Sequence, residues 1–232
     1  MIWLLLLLLV SPAQAQPRSG YLDAGPDSRA MQDDDTANPA FLWVEQGKVL
    51  WGSLGCGGCH GDVATMRGVA ARYPKYDAVL GRPVSLARRI ATHRAVPDSE
   101  DMLALLAVIG LQSRGLPLAI DISGPARPSY EAGKALFHRR QGQLNLACAN
   151  CHDDLAGRHL GGAVIPEGHP NGYPIYRLEW QALGSLERRL RQCVVGVRAV
   201  PWADGSRELA DLEFFLGARA AGLVVETPAV RP

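Results

Sequence analysis

The chain has 232 residues, with 24 Lys and Arg against 23 Asp and Glu for a net charge of +1. That length allows one or two domains, and the near-neutral balance gives no sign of a nucleic-acid partner. Partners have to be inferred from sites instead, beginning with the five cysteines.

The chain opens with Met1-Ile2-Trp3, an apolar run from Leu4 to Val10, and Ala13-Gln14-Ala15. This pattern predicts a signal peptide over 1–15, cleaved before Gln16, although no basic residue precedes Arg18. The run is too short to span a bilayer. The expectation is therefore export to the periplasm of a Gram-negative-type cell, with no membrane span after cleavage. Residues 16–37 are rich in Asp, Ser, Pro and Gly and have no helical or alternating period, so an extended N-terminal arm is predicted. The first helix is predicted to open at Asn38-Pro39, where Asn caps exposed N–H groups and Pro suits the first helical position. Leu42 with Val49, and Trp43 with Leu50, then share helical faces.

Cys56-Gly57-Gly58-Cys59-His60 follows, and Cys148-Ala149-Asn150-Cys151-His152 repeats its pattern. Two thiols three residues apart on one helical turn can form thioethers to both vinyl groups of one porphyrin. The adjacent imidazole is then held beneath the iron. A zinc half-site would need a second ligand pair at finger spacing, and a thioredoxin-like pair would need a βαβ setting. The recurrence behind an export signal points instead to two covalent haem c groups. Cys56, Cys59, Cys148 and Cys151 form the thioethers, and His60 and His152 are the proximal ligands.

The chain is internally doubled. Glu45-Gln46-Gly47-Lys48-Val49-Leu50-Trp51 precedes the first motif as Glu131-Ala132-Gly133-Lys134-Ala135-Leu136-Phe137 precedes the second. Tyr73-Pro74-Lys75-Tyr76 matches Tyr173-Pro174-Ile175-Tyr176, and Ser85 to His93 matches Ser185 to Cys193. A last helix closes each half, Ser99 to Gly115 and Ser206 to Gly222, with Ser at the N-cap and Gly past the end. No run alternates as a large sheet would. The predicted fold class is all-α, with long loops and two cytochrome c-type haem domains at 38–116 and 129–224. The Pro- and Gly-rich 117–128 reads as a linker and 225–232 as a C-terminal tail. Trp180, Trp202, Phe214 and Phe215 are candidates to face the second porphyrin, with ordinary core packing as the alternative.

The repeat proposes a distal iron ligand for each half: His93 in the first and Cys193 in the second. Met66 and Met102 compete with His93, and His159 and His169 with Cys193. His138 lies before its motif. Cys193 is also the odd cysteine, left without an intramolecular disulfide partner once four thiols are taken by haem. Leu183, Leu186 and Leu190 are predicted to share its helical face. Arg189 lies one turn earlier, and Arg188, Arg191 and Arg198 add positive charge nearby. Guanidinium groups there would favour a thiolate and hold an anionic substrate. A buried structural cysteine among solvated arginines is the alternative.

The stretch Gln32 to Pro39, then Trp43 to Trp51, then Met66-Arg67-Gly68-Val69-Ala70-Ala71-Arg72-Tyr73-Pro74, resembles the SoxA family. These are the dihaem subunits of the SoxAX cytochromes of periplasmic thiosulfate oxidation. Gly168-His169-Pro170-Asn171-Gly172-Tyr173-Pro174-Ile175-Tyr176-Arg177-Leu178-Glu179-Trp180, with Gly184-Ser185-Leu186, Arg188-Arg189, Cys193 and Val197-Arg198-Ala199, is similar to that family's active-site region. The resemblance implies that Cys193 is a distal haem ligand, commonly persulfidated, that joins thiosulfate oxidatively to a thiol of the carrier SoxYZ. It implies that Arg189 binds the anion, with Arg191 and Arg198 as further substrate-binding candidates. Electrons then leave to a monohaem SoxX-like partner, held as a heterodimer, and on to a small cytochrome c. The implied activity is L-cysteine S-thiosulfotransferase. Dihaem members often carry cysteine where this chain has His93, which implies a higher potential for the first haem. A thiosulfate dehydrogenase making tetrathionate and a plain dihaem electron carrier are the other two readings.

Overall fold

The computed structural model describes residues 16–96 and 99–232; the signal-peptide reading of 1–15 lies outside them. The N-terminal arm is not extended as its composition suggested. It contains helix α1 (Pro26–Asp33), opened by a proline in its first turn. Contacts distant in sequence hold it. Gln32 Oε1 accepts from the Val230 backbone N–H at 3.0 Å, and Asn38 Nδ2 donates to the Pro228 carbonyl at 2.9 Å. A segment without periodicity can still order when its polar groups are bound elsewhere.

The first half continues with α2 (Phe41–Ser53) and α3 (Gly57–His60), the latter carrying the first haem motif. Hairpin strands β1 (Lys75–Asp77) and β2 (Arg82–Val84) lead to α4 (Leu86–His93) and α5 (Ser99–Leu111). The second half repeats the order. It has α6 (Arg127–His138), α7 (Cys148–His152), the small hairpin β3 (His159–Leu160) and β4 (Ala163–Val164), and then β5 (Ile175–Arg177) and β6 (Ala182–Gly184). Helices α8 (Leu186–Gly196) and α9 (Arg207–Arg219) follow, and strand β7 (Ala229–Arg231) closes the chain. The fold is all-α in its core, with three small sheets. Among the described residues, no helix is long and apolar enough to cross a membrane.

The repeated Glu-x-Gly-Lys has a packing cause. A Cβ at Gly47 would lie 2.2 Å from the Ala104 carbonyl oxygen, and one at Gly133 would lie 2.0 Å from that of Asp211. Helices α2 and α5 therefore cross backbone to backbone, as do α6 and α9, and only glycine admits that approach. Ser85 and Ser185 cap equivalent helices, each Oγ accepting from the N–H three residues on, at 3.2 Å and 3.1 Å. On α2 the pair Leu42 and Val49 does share a face, but it is the solvent face, at 73% and 70% exposed. Val44, Gly47 and Trp51 point inward.

The halves interlock more than the composition of 117–128 and 225–232 implied. Leu118, Ile120 and Ala126 are buried, the last two against Phe214, so this linker is part of the core. Strand β7 pairs in parallel with β5, and Ala229 and Val230 are fully buried, so the tail is a structural strand. Val230, Tyr176 and Leu183 pack into the same cluster as Val44, Trp51 and Val108 of the first half. Leu183 thus belongs to β6 and the first half's core rather than to the face of α8. A cavity of about 160 Å³ lies between the halves, where Tyr73 meets Tyr173, Pro74 meets Pro174 and Leu86 meets Leu186. Repeat-equivalent side chains meet there because the two halves face each other across it.

Candidate haem and sulfur site

The second haem motif is a single helical turn, in which Asn150 Oδ1 accepts from the Ala147 N–H at 3.0 Å. His152 Nδ1 lies 2.7 Å from the Pro166 carbonyl. A carbonyl can only accept, so Nδ1 carries the proton and Nε2 is left as the metal-binding nitrogen. The 166–168 turn closes over the ring because Gly168 has φ +77° and no side chain: a Cβ there would sit 2.9 Å from His152 Nδ1. Arg219 donates to the His152 carbonyl at 3.3 Å and pairs with Asp153, anchoring the end of α7.

Cys193 lies on α8, half-buried, close enough to the α7 turn that it opposes ionisation of Cys148 while Cys151 opposes its own. Burial pushes the Cys193 thiol up, against the downward pull of Arg189 and Arg177. The arginines do favour the thiolate, as expected, but desolvation outweighs them, and coordination to a metal is what deprotonates such a thiol outright. Burial also pushes Cys148 up to about 11, consistent with a residue used as a thioether rather than as a nucleophile. All five cysteines are free of disulfides. An imidazole with one nitrogen engaged, two thiols on one turn and a third thiol facing them fit a covalently held haem with a sulfur ligand.

Of the competing ligands, His169 Nε2 is bonded to Glu167 at 2.9 Å and His159 is exposed on β3. Of the neighbouring arginines, Arg191 is ion-paired with Asp204, Arg188 stacks over the Trp180 ring at 4.0 Å, and Arg198 is exposed with φ +57°. Arg189 has no carboxylate partner among the described residues. The candidate porphyrin-facing aromatics divide. Phe215 and Trp202 belong to the cluster holding Phe137 and Cys148, Phe214 packs against Ile120, and Trp180 serves the arginines.

In the first half, Cys56 packs in the cluster of Trp51 and Ile90, Cys59 is exposed, and the rings of His60 and Trp51 are 5.9 Å apart. His93 ends α4 with Nδ1 2.8 Å from the Arg89 carbonyl, which again leaves Nε2 free. The end of α4 reaches the motif: Arg94 bonds the Gly55 carbonyl at 3.5 Å. Met66 packs in the same cluster as Cys56, and Met102 is half-buried on α5. Sequence reading missed the Pro166 carbonyl and Arg177. A carbonyl has no side-chain signature. Arg177 did have one, since it stands one residue past the aligned Tyr-Pro-x-Tyr run, where the first half has Asp77.

A family model described as the SoxA/TsdA cytochrome c domain matches residues 47–118 and 132–225. The L-cysteine S-thiosulfotransferase subunit SoxA of Pseudaminobacter salicylatoxidans is 40% identical over 229 residues, covering 92% of this chain and 80% of that protein. That of Rhodovulum sulfidophilum is 35% identical, with the same coverage of each chain. A crystal structure of SoxXA from P. pantotrophus superposes with a TM-score of 0.88 at 31% identity, over 93% of this chain and 87% of that one. With a family model matched over both halves and this identity over most of each chain, the chain belongs to the SoxA family of c-type cytochromes.

Proposed function

We propose that the chain is a periplasmic L-cysteine S-thiosulfotransferase subunit that joins thiosulfate oxidatively to a cysteine of a sulfur-carrier protein of the SoxYZ kind. The observation that carries this reading is the third thiol. Cys193 faces the Cys148/Cys151 turn with Arg189 one helical turn away, so a nucleophile, an anion-binding group and a haem site share one pocket. The haems supply one-electron acceptors. Cys148, Cys151, His152 and Cys193 would hold the second haem, and Cys56, Cys59, His60 and His93 the first.

The protein's own residues bind and orient. Arg189 places thiosulfate so that its outer sulfur meets Cys193 Sγ. An S–S bond forms there between that sulfur and the Cys193 thiolate as two electrons leave. The carrier thiolate then attacks that outer sulfur, and Cys193 departs as thiolate. The balance is thiosulfate plus carrier thiol giving carrier S-thiosulfonate, one proton and two electrons. The electrons pass to a monohaem SoxX-like partner, bound as a heterodimer, and then to a small cytochrome c. If water instead of the carrier attacked the sulfonate sulfur of the Cys193 adduct, sulfate and a proton would leave and a persulfide would remain on Cys193. Arg191 and Arg198 are outer charges around the pocket, with Arg191 already tied to Asp204.

The test is thiosulfonation of the carrier by wild type and Cys193→Ser, read by intact mass. Loss of the +112 Da-class adduct in the variant is expected, because the thioethers and His152 are untouched. Adduct formation near the wild-type rate would sink the assignment. Tetrathionate formed without a carrier would instead favour the thiosulfate dehydrogenase reading, and electron transfer without either product would favour a plain carrier.

A further inference from the structure

The repeat exposes a charge inversion beside Cys193. In the first half Arg89 is ion-paired with Asp77 of β1, and the Tyr73 hydroxyl lies against the same guanidinium. The second half keeps Tyr173 and Arg189 at the equivalent positions, 100 residues on, but replaces Asp77 with Arg177. The hairpins have matching registers, Asp77 opposite Arg82 and Arg177 opposite Ala182. Both helices begin from the same serine cap. The position that completes an ion pair in the first half is thus taken by a second arginine in the other.

Arg177 is held for a purpose its own contacts do not exhaust. Its side chain is only 18% exposed, and its Nε is buried with no hydrogen-bond partner. One terminal nitrogen bonds Glu179 at 2.7 Å, but that carboxylate is 50% exposed and solvated. Trp180, itself fixed against Gly184, lies beneath the guanidinium at 5.4 Å. Arg177 ends β5, which pairs with β6, and α8 with Arg189 and Cys193 follows β6 directly, the same connection that brings Asp77 and Arg89 together in the first half. Two like charges brought together in a half-buried site are unfavourable unless an anion lies between them.

We infer that Arg177 is a second anion-holding residue, which with Arg189 forms a two-guanidinium clamp matched to a dianion beside Cys193. This rests on the proposed sulfur-transfer reading for the identity of the anion, thiosulfate. The charge sum explains the pairing: two guanidinium groups neutralise a dianion and leave a net charge beside a monoanion. The clamp is thus a specificity device as well as an affinity one.

Calorimetric titration of the haem-loaded protein with sulfate, an inert dianion, and with nitrate, a monoanion, tests this apart from turnover. Wild type should prefer sulfate. Arg177→Met should weaken sulfate and thiosulfate binding by roughly tenfold to a hundredfold and erase the preference over nitrate, with KM raised more than kcat is lowered. Arg177→Lys should recover part of the loss. Arg177→Asp rebuilds the pairing of the first half on a scaffold that already tolerates it, and should abolish dianion binding while the haem spectrum stays that of wild type. Sulfate affinity within about twofold of wild type in Arg177→Met and Arg177→Asp would overturn the clamp and leave the role of Cys193 standing. If wild type binds dianions and its clamp variants do not, yet Cys193→Ser still thiosulfonates, the clamp survives and the sulfur-transfer reading fails. A wild type that binds neither anion overturns both.

Discussion

The two halves share an ancestral plan and differ at three places. Helix α4 stops at His93, whereas α8 runs on to Gly196 and carries Cys193 in its interior. Arg89 is neutralised by Asp77, whereas the position equivalent to Asp77 in the second half holds Arg177. The cavity between the halves is lined from the first half by Ala87 and Leu106 and from the second by Glu187 and Glu213 at the equivalent positions. The first half is closed in charge and coordination. The second carries a fifth thiol, an Arg189 without a carboxylate partner among the described residues, and two cavity-lining carboxyls, and such groups persist in a fold when they serve a ligand or a reaction.

The comparison breaks most sharply at the sulfur. Cys193→Ser is expected to lower carrier thiosulfonation by about three orders of magnitude or more, whereas His93→Ala should alter the first haem's spectrum and cost at most about tenfold in turnover. Comparable losses from both would mean that the halves share the chemistry. If Met66→Leu changes that spectrum and His93→Ala does not, Met66 is the first haem's ligand.

The anion site comes next. Arg189→Ala should reduce kcat/KM for thiosulfate by roughly tenfold to a hundredfold with the haem spectrum intact. Arg191→Ala, removing a group already engaged with Asp204, should cost about threefold or less in the same assay. Stability effects follow and should be alike in the two halves, because the packing is. Gly47→Ala and Gly133→Ala each drive a methyl group into a backbone carbonyl, and each should destabilise by about 3 kcal/mol in thermal unfolding. Val230→Ala should cost about 2 kcal/mol and melt the first half as well as the second, since Val230 lies in the first half's cluster.

The smallest effect distinguishes the cavity's two sides. Burial, with Glu187 nearby, pushes the Glu213 carboxyl up to about 8. Between its ordinary value near 4.5 and that raised value the native state holds a proton that the unfolded state has released, so stability falls as pH rises, by at most about 1.4 kcal/mol per unit. Glu213→Gln should flatten this dependence and raise Tm at pH 7.5. An unchanged slope would place the carboxyl in water.

Much was legible because covalent chemistry and local hydrogen bonding are written in short spacings. The two CxxCH motifs, the serine caps of α4 and α8, and the place of Arg189 one turn before Cys193 depend only on neighbours along the chain. The doubled Glu-x-Gly-Lys was visible as a repeat, but its cause was not, because the carbonyl that demands glycine comes from a helix some 60 to 80 residues later. The arm and tail misled for the same reason. Gln32 and Val230 look like arm and tail residues until the two segments close on each other.

The sequence by itself therefore determined the haem-binding turns, the duplication, the leftover thiol and the family, since each is a pattern of residue types at fixed separation. Tertiary structure alone decided which charges meet. Burial raises the Cys193 thiol despite its arginines, Pro166 sets the His152 tautomer, and Asp77 reaches Arg89. Desolvation and Coulomb interaction depend on distance and enclosure in space, and separation along the chain specifies neither.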